Sequence, residues 1–368
     1  MVKKLSQTNF QKLVESYSDD FEMIQVLDKE GIVVDPKTMK DITDEELVKL
    51  MEDIVWARTL DERTIILNRQ GALGNYATAG GQEASQFGSL AAITREDFLV
   101  PTYRDIGVLS KHGLPLYKAF LWYKGHVAGN QFPKELQAYV PQVMVGGTVP
   151  PAAGVAIGKK MNEANSVVLA LCGDGATSQG DFYEGINIAG VYKAPLIMVV
   201  QNNGYGISVP TEKQTLAQTL AQKGVAAGIV SLRVDGMDPV AMYATVKKAR
   251  EYALEGNGPV LIEALTYRFG PHTMSDDPKR YREDAEVEEW LAKDPLKRLR
   301  IYLTDKGLWS EEKEAQVVEE LKQEVKDAMI KMAAEPAQKV SDFLKNMFEE
   351  TPKSLLEQIE KYELKELN

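Results

Sequence analysis

Residues 172–208 read CGDGATSQGDFYEGINIAGVYKAPLIMVVQNNGYGIS, and the reading of this stretch decides the fold. The apolar run at 167–171 before it has the length of a buried strand and stops at Gly173-Asp174-Gly175. Residues 178–191 read as a helix, and 195–200 as a second buried strand that ends at Asn202-Asn203. A strand, a tight glycine turn and a helix start together form an anion site, because glycine lets backbone N–H groups approach a phosphate. A carboxylate at Asp174 repels a phosphate unless a hard cation takes oxygen ligands from both. Asn203 offers a second, neutral oxygen from the neighbouring strand end, and a bend at Gly204-Tyr205-Gly206 turns a carbonyl inward as a third. The expected arrangement is a Mg²⁺–diphosphate clamp at the carboxyl ends of adjacent parallel strands. An ordinary α/β turn in which Asp174 only caps the helix also accommodates the pattern.

GDG followed by 26 residues and then NN resembles the thiamin diphosphate motif of transketolase-like enzymes. The chain from about residue 47 onward is similar to the alpha subunit of the E1 component of 2-oxo acid dehydrogenase complexes. The resemblance implies an α/β fold with a mostly parallel, doubly wound sheet that binds thiamin diphosphate and Mg²⁺. It divides the chain into an N-terminal arm (1–45), the diphosphate-binding domain (46–290) and a C-terminal helical region (291–368). It places Gly173, Asp174, Gly175, Ala176 and Asn203 around the diphosphate, with Asp174, Asn203 and Tyr205 as metal ligands. Tyr103 and Arg104, in the sequence TYRD after a short strand at 98–101, fall in its cofactor shell. An arginine can hold diphosphate oxygens in bidentate fashion, although a surface pair with Asp105 explains Arg104 equally from the residues alone. Main chain at Val143 and Val145 is expected against the aminopyrimidine.

Composition bounds the remaining choices. The chain has 368 residues, 44% hydrophobic and 26% charged, with a formal net charge of −11. Such a balance suits a globular α/β protein and argues against a nucleic-acid surface, which needs a basic face. The single cysteine, Cys172, leaves no internal disulfide and reads as a core thiol at a strand end. Neither an apolar leader nor a membrane-length run is found, so a cytoplasmic location is expected.

In chain order, residues 1–40 read as an arm that wraps a partner or moves freely. Thr43-Asp44-Glu45-Glu46 is a capping box that opens a long helix. Gly80-Gly81-Gln82-Glu83 starts a second, in which Glu83 serves either a family signature or the helix cap. His112 reads as an imidazolium at a helix end, and His126 as a surface residue. Residues 214–224 read as a polar helix, and Asp238-Pro239 as the cap and first position of another. The alternation of strands and helices over 166–265 predicts a right-handed parallel sheet covered on both faces. Asp181 and Glu184 read as first-turn acids; the resemblance also allows them a proton relay between sites.

The second landmark is YRFGPHTMSDDPKRYR at 267–282, a polar segment after a strand that reads as a mobile loop over the site. It matches the active-site loop of the E1 alpha family, which makes His272 the candidate catalytic residue, next to the cofactor and assisting acyl transfer. Ser275 is a candidate hydrogen-bond partner of His272, and Arg268 and Arg282 either hold the diphosphate or order the loop. Mitochondrial members carry regulatory serines in this loop, where Thr273 and Arg280 stand here, so that form of phosphorylation control is not expected. The chain has room for one cofactor-binding domain. The resemblance therefore implies a beta subunit that completes the site in an α2β2 assembly, and an E2 lipoyl acyltransferase as acyl acceptor. The expected reaction is oxidative decarboxylation of a 2-oxo acid, with pyruvate ahead of branched-chain substrates. An acetoin dehydrogenase alpha subunit and a non-catalytic diphosphate-binding scaffold are the alternatives. Residues 76–79 are the candidate substrate pocket.

Overall fold

The computed structural model describes Ser16 and residues 21–366. Six parallel strands form the central sheet in the order β1 (Met23–Ile24), β7 (Val230–Asp235), β8 (Val260–Leu265), β4 (Leu196–Asn202), β3 (Val168–Gly173), β2 (Phe98–Val100). A two-stranded hairpin, β5 (Tyr205–Gly206) and β6 (Val209–Pro210), follows β4. The central strands are mostly apolar because a parallel sheet is covered on both faces; buried polar side chains enter at Glu263 in β8 and at Gln201 and Asn202, where β4 ends. Period-two alternation divides their side chains between two cores. Leu169, Leu171, Ile197, Val199 and Ile262 enter one; Val168, Ala170, Cys172, Leu196, Met198 and Val200 enter the other.

The helices Val149–Met161 and Gly180–Val191 cover the second face, where Gly185 lets the two backbones approach: a Cβ there would lie 2.7 Å from Val149 Cγ1. The first face carries Glu83–Ala91 and Pro239–Leu254, with Asp44–Arg69 and Glu311–Ala334 packed outside them. The expected caps form. Thr43 Oγ1 accepts from Glu46 N–H while Glu46 Oε2 accepts from Thr43 N–H, and Asp238 Oδ1 accepts from the N–H groups of Val240 and Ala241. A cap of this kind is worth about 1 kcal/mol. Among the described residues, no helix is long and apolar enough to cross a membrane.

Several sequence expectations are corrected. Residues 21–34 dock onto the sheet instead of forming a free arm: β1 pairs with β7, and Asp238 Oδ2 accepts from Val26 and Leu27 N–H at 2.7 Å each. Pro36–Lys40 then forms a short helix capped by Asp35, and of residues 1–20 of the expected arm only Ser16 is described. The helix expected over 214–224 is two short ones, Thr211–Gln214 and Gln222–Ala226. Each piece is tied separately, Gln214 to Asp174 and Lys223 to Thr177, and no continuous apolar stripe holds them in line. After β3 the chain makes a 3₁₀ turn, Asp174–Ser178, and the α-helix begins only at Gly180. A last helix, Lys353–Glu366, lies within the helical region expected over 291–368.

Candidate active site at the strand ends

β2 leads into the helix Ile106–His112, whose apolar residues join the first core, whereas β3 leads to Gly180–Val191 in the second. Neighbouring strands whose connections leave to opposite faces open a crevice at their carboxyl ends. That crevice is a cleft with about 720 Å³ of empty space. Its lining includes Tyr103, Arg104, Val145, Gly173, Asp174, Gly175, Ala176, Asn203, Tyr205 and His272. Most of the site residues expected from the sequence are therefore brought together by the fold.

On the floor, Gly175 packs beneath the hairpin, where an added Cβ would stand 3.5 Å from Gly206 Cα. The turn is closed from below: Thr177 Oγ1 donates to Asp174 O at 2.7 Å, and Lys223 Nζ donates to Thr177 O and Oγ1 at 2.7 and 2.9 Å. Asp174 is 2% exposed. Gln214 Nε2 donates to its Oδ2 at 2.9 Å, and Thr211 Oγ1 reaches the same oxygen at 3.4 Å. No basic side chain among the described residues pairs with it, and burial pushes its carboxyl above the usual carboxylate range against those two hydrogen bonds. Asn203 is fixed by donation from Nδ2 to Gln82 Oε1 (3.1 Å) and by acceptance at Oδ1 from Tyr205 N–H (3.2 Å). Gly204, at φ +83°, makes the bend. The Tyr205 phenol donates to Glu286 Oε2 at 2.8 Å. Among the described residues, no three His, Cys, Asp or Glu side chains cluster as metal ligands; the floor offers the Asp174 carboxylate and the Asn203 amide oxygen, with Tyr205 beside them in the lining.

The wall carries His272. Arg104 makes no surface pair with Asp105. Its guanidinium is buried and donates to Thr78 O, to His272 Nδ1 (3.1 Å) and to His272 O (3.2 Å). Asp105 instead accepts from Thr102, Gln86 and Gln201. A guanidinium has only donors, so Nδ1 is the acceptor and the proton sits on Nε2. Burial, reinforced by the Arg104 and Arg268 charges, lowers the imidazole to about 4. The Tyr103 ring stands edge-on to it at 6.1 Å.

The segment read as mobile is tied down. Phe269 N–H donates to Gly80 O, Met274 N–H to Tyr76 O, and Thr78 Oγ1 to Pro271 O. Within the loop, Asp276 Oδ2 accepts from His272 N–H at 2.8 Å and Tyr281 OH at 2.6 Å. Arg282 donates to the carbonyls of Arg268, Phe269 and Gly270.

Four expectations need revision. Ser275 does not bond His272; its Oγ lies 3.0 Å from Thr273 Oγ1 on the exposed side, and Arg104 and Asp276 take the places assigned to it. Arg268 is buried behind the wall, donating to Gly270 O, Ile207 O and Tyr281 OH, so it orders the loop and does not line the cleft. Val143 is 68% exposed at the rim; Met144, Val145 and Gly146 form the lining there. His112 is buried with its pKa lowered by desolvation, which makes it a neutral ring bonded to Gln137 O and not an imidazolium.

Tyr76 and Ala79 line a smaller cavity behind Arg104, with Asp61 and Tyr123. Asp181 and Glu184 are exposed on the outer face of their helix. Cys172 is a buried core thiol, as expected. Nothing in the sequence marks Gln201, Gln214 or Lys223, since carboxamides and lysines read as surface until their partners are known.

The family model for the dehydrogenase E1 component matches residues 51–341. The chain is 54% identical over 343 residues to the pyruvate dehydrogenase E1 component subunit alpha of Bacillus subtilis, covering 93% of this chain and 92% of that one. It is 50% identical over 359 residues to the Bacillus cereus protein of the same name (97% of each chain), and 51% over 356 residues to that of Staphylococcus aureus (96% of each). The chain belongs to the dehydrogenase E1 component family.

Proposed function

We propose that this chain is the alpha subunit of a thiamin diphosphate-dependent pyruvate dehydrogenase E1, acting with a beta subunit and passing its acyl product to a lipoyl group on an E2 acyltransferase. One observation carries the reading: Asp174 is a buried carboxylate, unpaired by any basic group among the described residues, beside the Asn203 amide at the strand ends. Burying a lone carboxylate is costly, and a divalent cation shared with a diphosphate offsets that cost. The residues present fit such a group. Asp174, Asn203 and the Tyr205 carbonyl would hold Mg²⁺, the main chain of Gly173, Gly175 and Ala176 would face the diphosphate, and Tyr103 and Arg104 would close over it. When bound, thiamin diphosphate supplies the electron sink that makes loss of CO₂ from a 2-oxo acid feasible.

The chain's own residues then do three things. The floor holds the cation and orients the diphosphate. The wall excludes water, since Tyr103, Arg104 and the bonded loop pack over the cleft. His272, neutral and carrying its proton on Nε2, presents a hydrogen-bond donor and a transferable proton where an acyl group would leave for the lipoyl sulfur. An apolar rim of Val143, Met144, Val145 and Ile207, each 47–68% exposed, supports a partner subunit over the mouth.

The test measures decarboxylation of pyruvate and of 2-oxoisovalerate, and cleavage of acetoin, with thiamin diphosphate and Mg²⁺, by the chain alone and with its beta chain. Turnover of pyruvate only in the two-chain sample, abolished by Asp174→Ala, is expected. Full activity of the isolated chain would overturn the split site, and preference for another substrate would reassign it.

A further inference from the structure

We propose that Gln214 is a positioning residue for Asp174: its carboxamide holds one carboxylate oxygen so that the other faces the cation. The proposal rests on the Mg²⁺–diphosphate reading above. Gln214 Nε2 donates to Asp174 Oδ2 at 2.9 Å and to Val209 O at 3.1 Å, so the amide is braced between the GDG turn and the hairpin. Thr211 Oγ1 approaches the same Oδ2 at 3.4 Å and Asn202 Oδ1 at 3.5 Å. Both side-chain donors therefore converge on one oxygen of the carboxylate, and Oδ1 is left for a ligand in the cleft.

Gly206 makes room for this contact, and Gly175 borders it. A Cβ at Gly206 would come within 3.0 Å of Gln214 Nε2, and one at Gly175 within 3.6 Å of its Oε1. The space beside Asp174 is thus shaped to admit a carboxamide from a helix that starts 37 residues later in the chain. A carboxylate that can rotate presents its oxygens to a cation in several geometries. One pinned by a neutral donor presents a single oxygen, and the donor adds no charge to compete with the metal. Partners of this outer kind typically contribute about 10- to 100-fold in metal affinity.

The test uses the co-purified alpha and beta chains with thiamin diphosphate, and reads Mn²⁺ binding by loss of the free-ion electron paramagnetic resonance signal. Wild type, Asp174→Ala, Gln214→Met and Thr211→Val are compared; methionine keeps the length of glutamine without its donor. The expected result is an Mn²⁺ Kd raised about 10- to 100-fold in Gln214→Met and by less in Thr211→Val. In Gln214→Met, the melting temperature without ligands and the binding of thiamin diphosphate in the presence of a chelator stay unchanged. Mn²⁺ affinity equal to wild type in Gln214→Met, with Asp174→Ala impaired, overturns the role of Gln214 and leaves the metal reading standing. Tighter binding overturns it too, since the amide would then be a competitor of the cation. Equal, negligible Mn²⁺ binding by wild type and Asp174→Ala removes the metal reading and this proposal with it.

Discussion

The floor of the cleft and its wall are assembled over different distances along the chain. On the floor, several governing contacts are local: Thr177 to Asp174 spans three residues and Tyr205 to Asn203 spans two. On the wall, Arg104 reaches His272 across 168 residues and Thr78 reaches Pro271 across 193. Local contacts form from the strand–turn chemistry itself, so the turns at Asp174 and Asn203 can take shape once β3 and β4 pair, with Gln82, Gln214 and Lys223 bracing them from further along the chain. The wall exists only while the loop stays on the segment Tyr76–Gly80, and each of its bonds is a separate condition for placing His272. A floor built locally tolerates loss of the wall, whereas the wall has no function without the floor.

The largest expected effect tests the floor. Asp174→Ala should lower kcat/KM by more than about 100-fold, beyond the range of an outer partner. The melting temperature of the ligand-free protein should hold or rise, because the variant removes an unpaired buried carboxylate. A scan showing a lower melting point would mean that the floor depends on the Asp174 charge for its shape, and would erase the contrast.

Next comes Asp276→Asn, which weakens two hydrogen bonds to a charged acceptor, each worth about 1.5–3 kcal/mol. Proteolysis within 269–282 should accelerate and acyl transfer should fall about 10- to 100-fold, with metal binding intact. Despite desolvation, the Tyr281 hydroxyl and His272 N–H hold the Asp276 carboxyl below the usual range. Its contribution to loop stability is therefore present above the unfolded carboxyl value and lost as pH falls through the lower folded one. Protease sensitivity of the wild type should rise in strong acid, and the Asn variant should lack that step.

A spectroscopic effect follows. With three histidines in the chain, the nitrogen resonances of His272 can be followed by NMR. The ring should remain neutral until about pH 4, and Arg104→Gln should raise its midpoint toward the ordinary value. A histidine with a depressed folded value adds stability above its unfolded value of about 6.5 that is lost as pH falls through about 4. An unchanged midpoint in the variant would show that burial alone sets it. The smallest effect is expected beneath the floor. Lys223→Met removes two hydrogen bonds under the turn and should weaken calorimetric thiamin diphosphate binding about 5- to 10-fold, roughly 1 kcal/mol, with Lys223→Arg closer to wild type.

The same division explains what could be read in advance. GDG and NN are legible because glycine turns and strand ends are local chemistry, and the caps at Thr43 and Asp238 are legible for the same reason. The fold class followed from apolar runs alternating with helices. Gln214 and Lys223 lie 40 and 46 residues from their partners, and nothing in their immediate neighbours marks them as buried. Ser275 was misplaced because its nearness in sequence to His272 suggested contact, while the loop turns its hydroxyl outward to Thr273. The docking of 21–34 was hidden because a strand as short as Met23–Ile24 has too little pattern to read.

That short strand also sets an order of events while the protein is being made. Gln25 donates to Asp235, 210 residues further on, and Val26 and Leu27 depend on Asp238. This strand therefore has nowhere to go until more than half of the chain has followed it. Long-range closure of this kind is slow, and an unpaired sheet edge at β7 invites the wrong partner meanwhile. The segment 21–27 thus joins its own sheet late, a latch drawn across the edge once β7 is in place.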